Sequence, residues 1–434
     1  MRSQTVSIKL QQIANQASNN PKMVFSTLAH HMDVDFLREA YYRTPKKKAP
    51  GVDKVTAKEY AENLEPNLIN LLETMKSGKY KAPPVKRVWI EKEDKSKRPI
   101  GISTFEDKIV QRAVSMLLEA VYEQDFYDFS YGFRPKRNPH QVIKALWEQC
   151  TYKGNNINWI LDADVSGCFD NIDRELLRQV IKKRINDGGL IRYIGKWLNA
   201  GVLENDILSY SDKGTPQGGV ISPMLANIFL HDVLDDWYVK EVKPRLKGKS
   251  FLLRFADDFI IGFEKEEDAV RVKEVLFKRF ARFGLALHPK KTKLIRFGRP
   301  KASDTSDKDN GSFDFLAFTH FWAKSLKGGW VIKRKTSKKR LRRAMISLRI
   351  WCRNNRHKDV AFQYKMLCLK LKGHYQYYGI ISNYRLLEQV FKRTEQSWRY
   401  WLSRRSRKSS ISWADFDRMR LLLPLPKPRI VHNI

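Results

Sequence analysis

Residues Arg254-Phe255-Ala256-Asp257-Asp258-Phe259 set two adjacent carboxylates between apolar runs at 251–255 and 259–263. Two short runs around a polar pair fit an antiparallel hairpin with the carboxylates at its tip. Further upstream, Asp162-Ala163-Asp164 closes a second apolar stretch, and 159–165 is a strand candidate. A carboxylate at the end of a half-buried strand must be paired or must hold a cation, because ionised groups are costly to desolvate. Mg²⁺ binds through one or two carboxylates together with substrate phosphates. Read together, the two acidic stretches suggest a two-metal site for nucleotidyl transfer. Taken alone, an Asp-Asp pair is more often a surface turn or a helix cap.

The charge balance supplies a reason to expect phosphates. The chain has 82 Lys+Arg against 47 Asp+Glu, a net charge of +35 over 434 residues. That excess is too large for an ordinary soluble enzyme and points to a polyanionic partner. The length suggests roughly two to four domains or subdomains. No apolar run approaches the about 18 residues that a membrane helix needs. Met1-Arg2-Ser3-Gln4 opens no export signal. The expectation is a soluble protein of the cytoplasm, or of the nucleoid in a bacterium, with no membrane contact. Cys150, Cys168, Cys352 and Cys368 form no C-x-x-C pair and read as reduced packing residues.

Along the chain, residues 1–80 read as amphipathic helices, with Leu64, Leu68, Leu71 and Leu72 on one face and a turn at Pro50-Gly51-Val52-Asp53. Residues 85–90 and 98–102 mix apolar and basic side chains at strand spacing about a charged turn, which predicts a hairpin. Ser103 or Thr104 can cap the next helix, with Val110, Ala113, Leu117 and Val121 on its apolar face. Asn171-Ile172-Asp173 starts another. The backbone must turn tightly near 214–219, and Ser222 before Pro223 reads as a capping hydroxyl ahead of proline.

Residues 298–312 are polar and glycine-containing, and they read as a loop between domains. Between 321 and 360 there are 14 Lys+Arg and one acidic residue, with Leu341, Met345, Leu348 and Cys352 on one helical face. That pattern predicts a helix packed on one side and cationic on the other. From Trp398 onward, Trp, Tyr and Arg alternate ahead of a proline-rich stretch at 424–428, as in a small nucleic-acid-binding appendix.

Several motifs occur in the order found in reverse transcriptases encoded by group II introns. They are Lys97-Arg98-Pro99-Ile100-Gly101-Ile102, Tyr131-Gly132-Phe133-Arg134-Pro135, Asp164 through Phe169-Asp170, Thr215-Pro216-Gln217-Gly218-Gly219, Phe255-Ala256-Asp257-Asp258, Lys290-Lys291-Thr292 and Phe313-Asp314-Phe315-Leu316-Ala317-Phe318. The resemblance spans roughly residues 50–320, and 371–379 looks like the maturase, or thumb, domain of that family. It implies an α+β right-hand polymerase with fingers, an antiparallel palm sheet with helices, and an α-helical thumb/maturase domain. The boundaries expected are 1–80 for a helical extension and the start of the fingers, 81–300 for fingers and palm, 301–397 for the thumb, and 398–434 for a basic, aromatic tail.

The resemblance also implies roles for residues. Asp164, Asp257 and Asp258 would be catalytic and hold two Mg²⁺ ions, with Mn²⁺ as a substitute, about 3.5–4 Å apart. Asp162 can share the strand face of Asp164, but it fits the pattern less clearly and is assigned a structural role. Phe169 matches the ring beneath the incoming sugar that rejects a 2′ hydroxyl by clash; the alternative is a core phenylalanine. Gln217 matches a residue touching nucleotide and template, or is a solvated turn residue. Lys92 and Arg98 match basic residues that grip the triphosphate, and Lys291 either contacts the nucleotide or supports the palm. Residues 315–318 are expected to form the primer-grip strand. Lys338, Lys339, Arg340, Arg342, Arg343, Arg349 and Arg353 would bind structured RNA through shape and phosphate contacts.

Two departures stand out: Phe255 and Ala317 occupy positions where Tyr and Gly are more usual. Both leave the carboxylates intact, so polymerase activity is expected. With the chain stopping at Ile434 and no His/Cys cluster of metal-ligand spacing, DNA cleavage is not expected, and a primer for mobility would come from a nick or a replication fork. The implied function is an RNA-directed DNA polymerase and maturase. Its partners are the group II intron RNA, an RNA template with a DNA primer, dNTPs and target DNA. The alternatives are a stand-alone enzyme of repair or defence and a maturase kept only for splicing.

Overall fold

The computed structural model describes residues 2–91, 97–152, 154–204, 207–210, 218–301, 310–406 and 410–434, apart from the side chains of Arg2, Ser3, Phe169 and Asp170. The architecture is α+β, and a four-stranded antiparallel sheet organises it. Its strand order is Lys293–Arg296, Trp159–Ala163, Asp258–Phe263 and Ser250–Phe255. Side chains alternate between the two faces of a strand, and here both faces are covered. Leu161, Leu252, Phe259 and Ile261 pack into the main core, beneath the helices Phe105–Tyr122, Ser222–Leu230 and Glu266–Arg282. Ile160, Leu253 and Ile260 face a second core with Leu146, Trp322, Trp330 and Ile332. Burial on two sides explains why these strands read as nearly continuous apolar runs.

The expected hairpin is present as Val85–Glu91 and Lys97–Ile102, paired from Lys86 opposite Ile102 to Glu91 opposite Lys97. It is extended by Val202–Glu204, parallel to the first strand, and Ile207–Ser209. Thr104 caps the helix Phe105–Tyr122, its side chain accepting from the Asp107 amide. In the amino-terminal part, Leu68, Leu71 and Leu72 are buried on one face of the helix Leu64–Lys76.

Three local expectations are corrected. Ser222 is the first residue of the helix Ser222–Leu230 rather than its cap; Ile221 holds the cap position and makes no side-chain cap bond. Residues 315–318 are not one strand: Phe313–Phe315 and Phe318–Lys324 pair antiparallel about Leu316 and Ala317, both with positive φ (48° and 68°). The unusual alanine therefore stands at a left-handed turn position, where glycine costs least. Finally, Trp398 is no start of an appendix. It is fully buried inside the helix Tyr384–Leu402 and shares a core with Leu371, Phe416 and Leu425. The tail from 398 onward thus completes the carboxyl-terminal bundle.

The basic helix spans Lys338–Asn354, with Leu348 and Cys352 buried and Leu341 and Met345 packed against them. A small cluster of Ile143, Phe318 and Ile380 joins the bundle to the sheets. No helix among the described residues is long and apolar enough to cross a membrane.

Candidate active site

Asp258 opens the strand Asp258–Phe263, and Asp257 sits beside it in the hairpin tip. In the neighbouring strand the last pair is Ala163 opposite Phe259; one further step along that register brings Asp164 level with Asp258. Asp162 lies opposite Ile260 on one side and Lys293 on the other. By the period of two, Asp162, Asp164 and Asp258 share one face.

Three of these carboxyls are shifted by burial and by their acidic neighbours. Burial, then repulsion from Asp257 and Asp164, pushes the Asp258 carboxyl up to about 6. Asp162 rises to about 7 through burial and then repulsion from Asp258, Asp164 and Asp314. Burial raises Asp257 as well, with Asp164 adding to the shift while Arg98 and Arg254 oppose it. Like charges gathered in a poorly solvated place disfavour their ionised forms. Asp162, given a structural role from sequence, therefore belongs electrostatically to the carboxylate group, and Asp314 borders it. Among the described residues no three acidic, imidazole or thiol groups are gathered tightly enough to enclose an ion by themselves.

Cations stand around the carboxylates. Lys291 Nζ lies 3.0 Å from Asp164 Oδ2 with its side chain 63% exposed, a geometry worth little stability in itself. Arg98, exposed on the strand Lys97–Ile102, acts on Asp257. The seven basic residues Lys338, Lys339, Arg340, Arg342, Arg343, Arg349 and Arg353 are all exposed along their helix. One of them, Arg340 in the first turn, counteracts the shift of Asp258. Lys92 and Gln217 fall outside the described residues. So does the Phe169 side chain, whose backbone lies in the helix Cys168–Asn171.

Behind the tip lies a network that sequence reasoning missed. Arg254 is fully buried and donates from Nε to Asp235 Oδ1 at 2.8 Å and from Nη2 to Asp235 Oδ2 at 2.5 Å. Its Nη1 donates to Asn227 Oδ1 and to the Ala256 carbonyl, both at 3.0 Å. Asn227 Nδ2 donates to the Gly132 carbonyl at 2.6 Å. A Cβ on Gly132 would stand 2.1 Å from the Ala256 amide nitrogen, so only glycine admits this approach. Ala256 has a positive φ of 59°, and the buried guanidinium holds that strained tip from behind. The available signal was the arginine itself: a cation in an apolar strand requires a buried anion.

Residues 90–320 match the family model described as reverse transcriptase (RNA-dependent DNA polymerase). The chain is 35% identical over 246 residues to the group II intron-encoded protein LtrA of Lactococcus lactis subsp. cremoris, covering 56% of this chain and 40% of LtrA. It is 34% identical over 294 residues to protein YkfC of Escherichia coli (strain K12), covering 60% of this chain and 77% of YkfC. Nuclear intron maturase 1, mitochondrial, of Arabidopsis thaliana is 32% identical over 109 residues, 25% of this chain and 13% of that protein. The chain belongs to the reverse transcriptase family. It spans about two fifths of the length of LtrA, at 40%.

Proposed function

We propose that the protein is an RNA-directed DNA polymerase of the group II intron type that also binds intron RNA and assists its splicing and mobility. The observation that carries this reading is the convergence of Asp164, Asp257 and Asp258, with Asp162 beside them, at the ends of adjacent central strands. In the right-hand description, the sheet of Val85–Glu91 and Lys97–Ile102 belongs to the fingers, the central sheet is the palm, and the carboxyl-terminal bundle is the thumb.

The carboxylates fit divalent ions: they are hard oxygen donors whose mutual repulsion calls for a counter-charge. Asp164, Asp257 and Asp258 would hold two Mg²⁺ ions, or Mn²⁺, which when bound activate a primer 3′ hydroxyl and neutralise the leaving pyrophosphate. The rest falls to the chain. Arg254 fixes the backbone from which Asp257 and Asp258 project. Arg98 and Lys291 bring positive charge to the side where a triphosphate would enter, with Lys92 and Gln217 as further nucleotide contacts and Phe169 as the gate against ribonucleotides. The exposed basic helix supplies phosphate contacts along template, primer and intron RNA.

Primer extension on an RNA template with Mg²⁺, comparing wild type with Asp257→Asn, tests the polymerase reading. Product from wild type alone is expected. Product from both proteins, or from neither, overturns it. Splicing of a cognate intron by the same variant then separates RNA scaffolding from polymerisation, since scaffolding needs no carboxylate.

A further inference from the structure

Away from the carboxylates, a cavity of about 660 Å³ opens between the helices Arg174–Lys182 and Gly188–Leu198 and the hairpin Val202–Glu204 and Ile207–Ser209. None of its lining residues belongs to the site described above. Lys81, Arg178, Lys182, Arg192 and Lys196 line it, against a single carboxylate, Glu175, which lies 3.5 Å from Arg178. Lys196 is already engaged, donating to the carbonyls of Tyr80 and Gly78. Among the described residues, Lys81, Lys182 and Arg192 form no salt bridge, which leaves a local positive excess facing open space.

Its rim is aromatic and apolar. Tyr210 is 71% exposed, and Leu208 lies beside it on the edge strand. The backbone is shaped to these side chains: a Cβ on Gly201 would stand 2.6 Å from Leu208 Cδ1 and 3.1 Å from Tyr210 Cε1. A Cβ on Gly195 would stand 3.1 Å from Arg178 Nη2. A cleft with cations along its walls and an exposed ring at its lip matches the requirements of an unpaired polynucleotide. Phosphates track the cations and a base stacks on the ring. A duplex offers no free base face to Tyr210.

We propose that this groove is a second nucleic-acid site, holding an unpaired strand by phosphate contacts to Arg178, Lys182, Arg192 and Lys81 and by base stacking on Tyr210. The inference stands apart from the polymerase reading, because it uses none of the same residues.

The test is photocrosslinking of the full-length chain to an oligouridine carrying 4-thiouridine, with the thymidine analogue as a second arm, followed by peptide mapping. Crosslinks to the peptide containing Tyr210 are expected, and the ratio of the two arms identifies RNA or DNA as the natural strand. The triple variant Arg178→Gln/Lys182→Gln/Arg192→Gln should lose that crosslink about ten-fold or more and lower the salt slope of binding by about 2, at about 0.7 per phosphate contact. Tyr210→Ala should weaken binding about ten-fold with the salt slope unchanged. Asp257→Asn should crosslink like wild type, so a failed polymerase reading would leave this result standing. The proposal is overturned if no crosslink maps to Tyr210, if the triple variant crosslinks normally, or if pyrophosphate displaces the strand as well as unlabelled oligouridine does.

Discussion

The buried pair of Arg254 and Asp235 gives a quantitative test of how the catalytic tip is held. Both side chains are fully buried, and burial alone would raise the Asp235 carboxyl; Arg254, aided by His231, outweighs it and holds Asp235 below the usual range. Replacing Asp235 with Leu removes the acceptor of two guanidinium bonds and strands a cation with no access to water. Breaking such a pair from one side costs about 3–5 kcal/mol, a large part of the roughly 5–15 kcal/mol that stabilises a folded domain. The double variant Asp235→Leu/Arg254→Met removes the stranded charge and should recover most of that loss, since an apolar pair of similar volume is often neutral or better. It should not recover activity, because the Ala256 carbonyl has then lost its donor at 3.0 Å and the tip its anchor. Urea denaturation of the single and double variants, beside primer extension, makes the comparison. A single variant that loses less than about 1 kcal/mol would refute the reasoning, as would a double variant that extends primers at the wild-type rate.

Other perturbations have equally definite outcomes. Gly132→Ala should slow extension severely and cost about 1–3 kcal/mol, because its Cβ meets backbone at Ala256 rather than a movable side chain; a fully active variant would contradict the described approach. Trp398→Ala should cost about 3–5 kcal/mol, as the ring fills the bundle core and its Nε1 donates to Gln363 Oε1 at 3.1 Å; a thermal melt reads it directly. The Asp162 carboxyl, raised to about 7, holds its proton more tightly in the folded state than in the unfolded one. Its ionisation therefore lowers stability as pH rises from about 4 through about 7. In metal-free buffer Asp162→Asn should raise the melting temperature at about pH 8 and leave it nearly unchanged at about pH 4. The opposite pH trend would exclude the repulsion described.

What could be read from the sequence was whatever local pattern encodes. Apolar runs about an acidic pair gave the hairpin 250–263, a hydroxyl before an amphipathic run gave the Thr104 cap, and four apolar residues on a basic stretch gave the helix Lys338–Asn354. What escaped depended on distant partners. Asp235 is separated from Arg254 by the turn of the chain that brings them together. Asp162 fits the family pattern less clearly, and the acidic neighbours that perturb it include Asp258 and Asp314, from other strands. Trp398 reads as the start of an appendix because the helix that buries it, with Leu367 and Leu371, is recognised only once the bundle is packed. Ser222 stands one residue inside its helix, a displacement within the ordinary uncertainty of helix ends.

The seam between the bundle and the sheets has a mechanical meaning. Ile143, Phe318 and Ile380 are wholly enclosed there, each contributing roughly 1.5–3 kcal/mol. Nearby, Asn383 accepts from the Thr336 amide and donates to its hydroxyl, both at 2.8 Å. Other bonds fasten the same seam: Tyr377 donates from its hydroxyl to the Leu316 carbonyl at 3.0 Å, and the Arg334 amide donates to Ser382 Oγ at 2.9 Å. Those ties fix the helix bundle that carries Arg340 against the strands Phe318–Lys324 and Trp330–Thr336, and with it the span between that guanidinium and the aspartates.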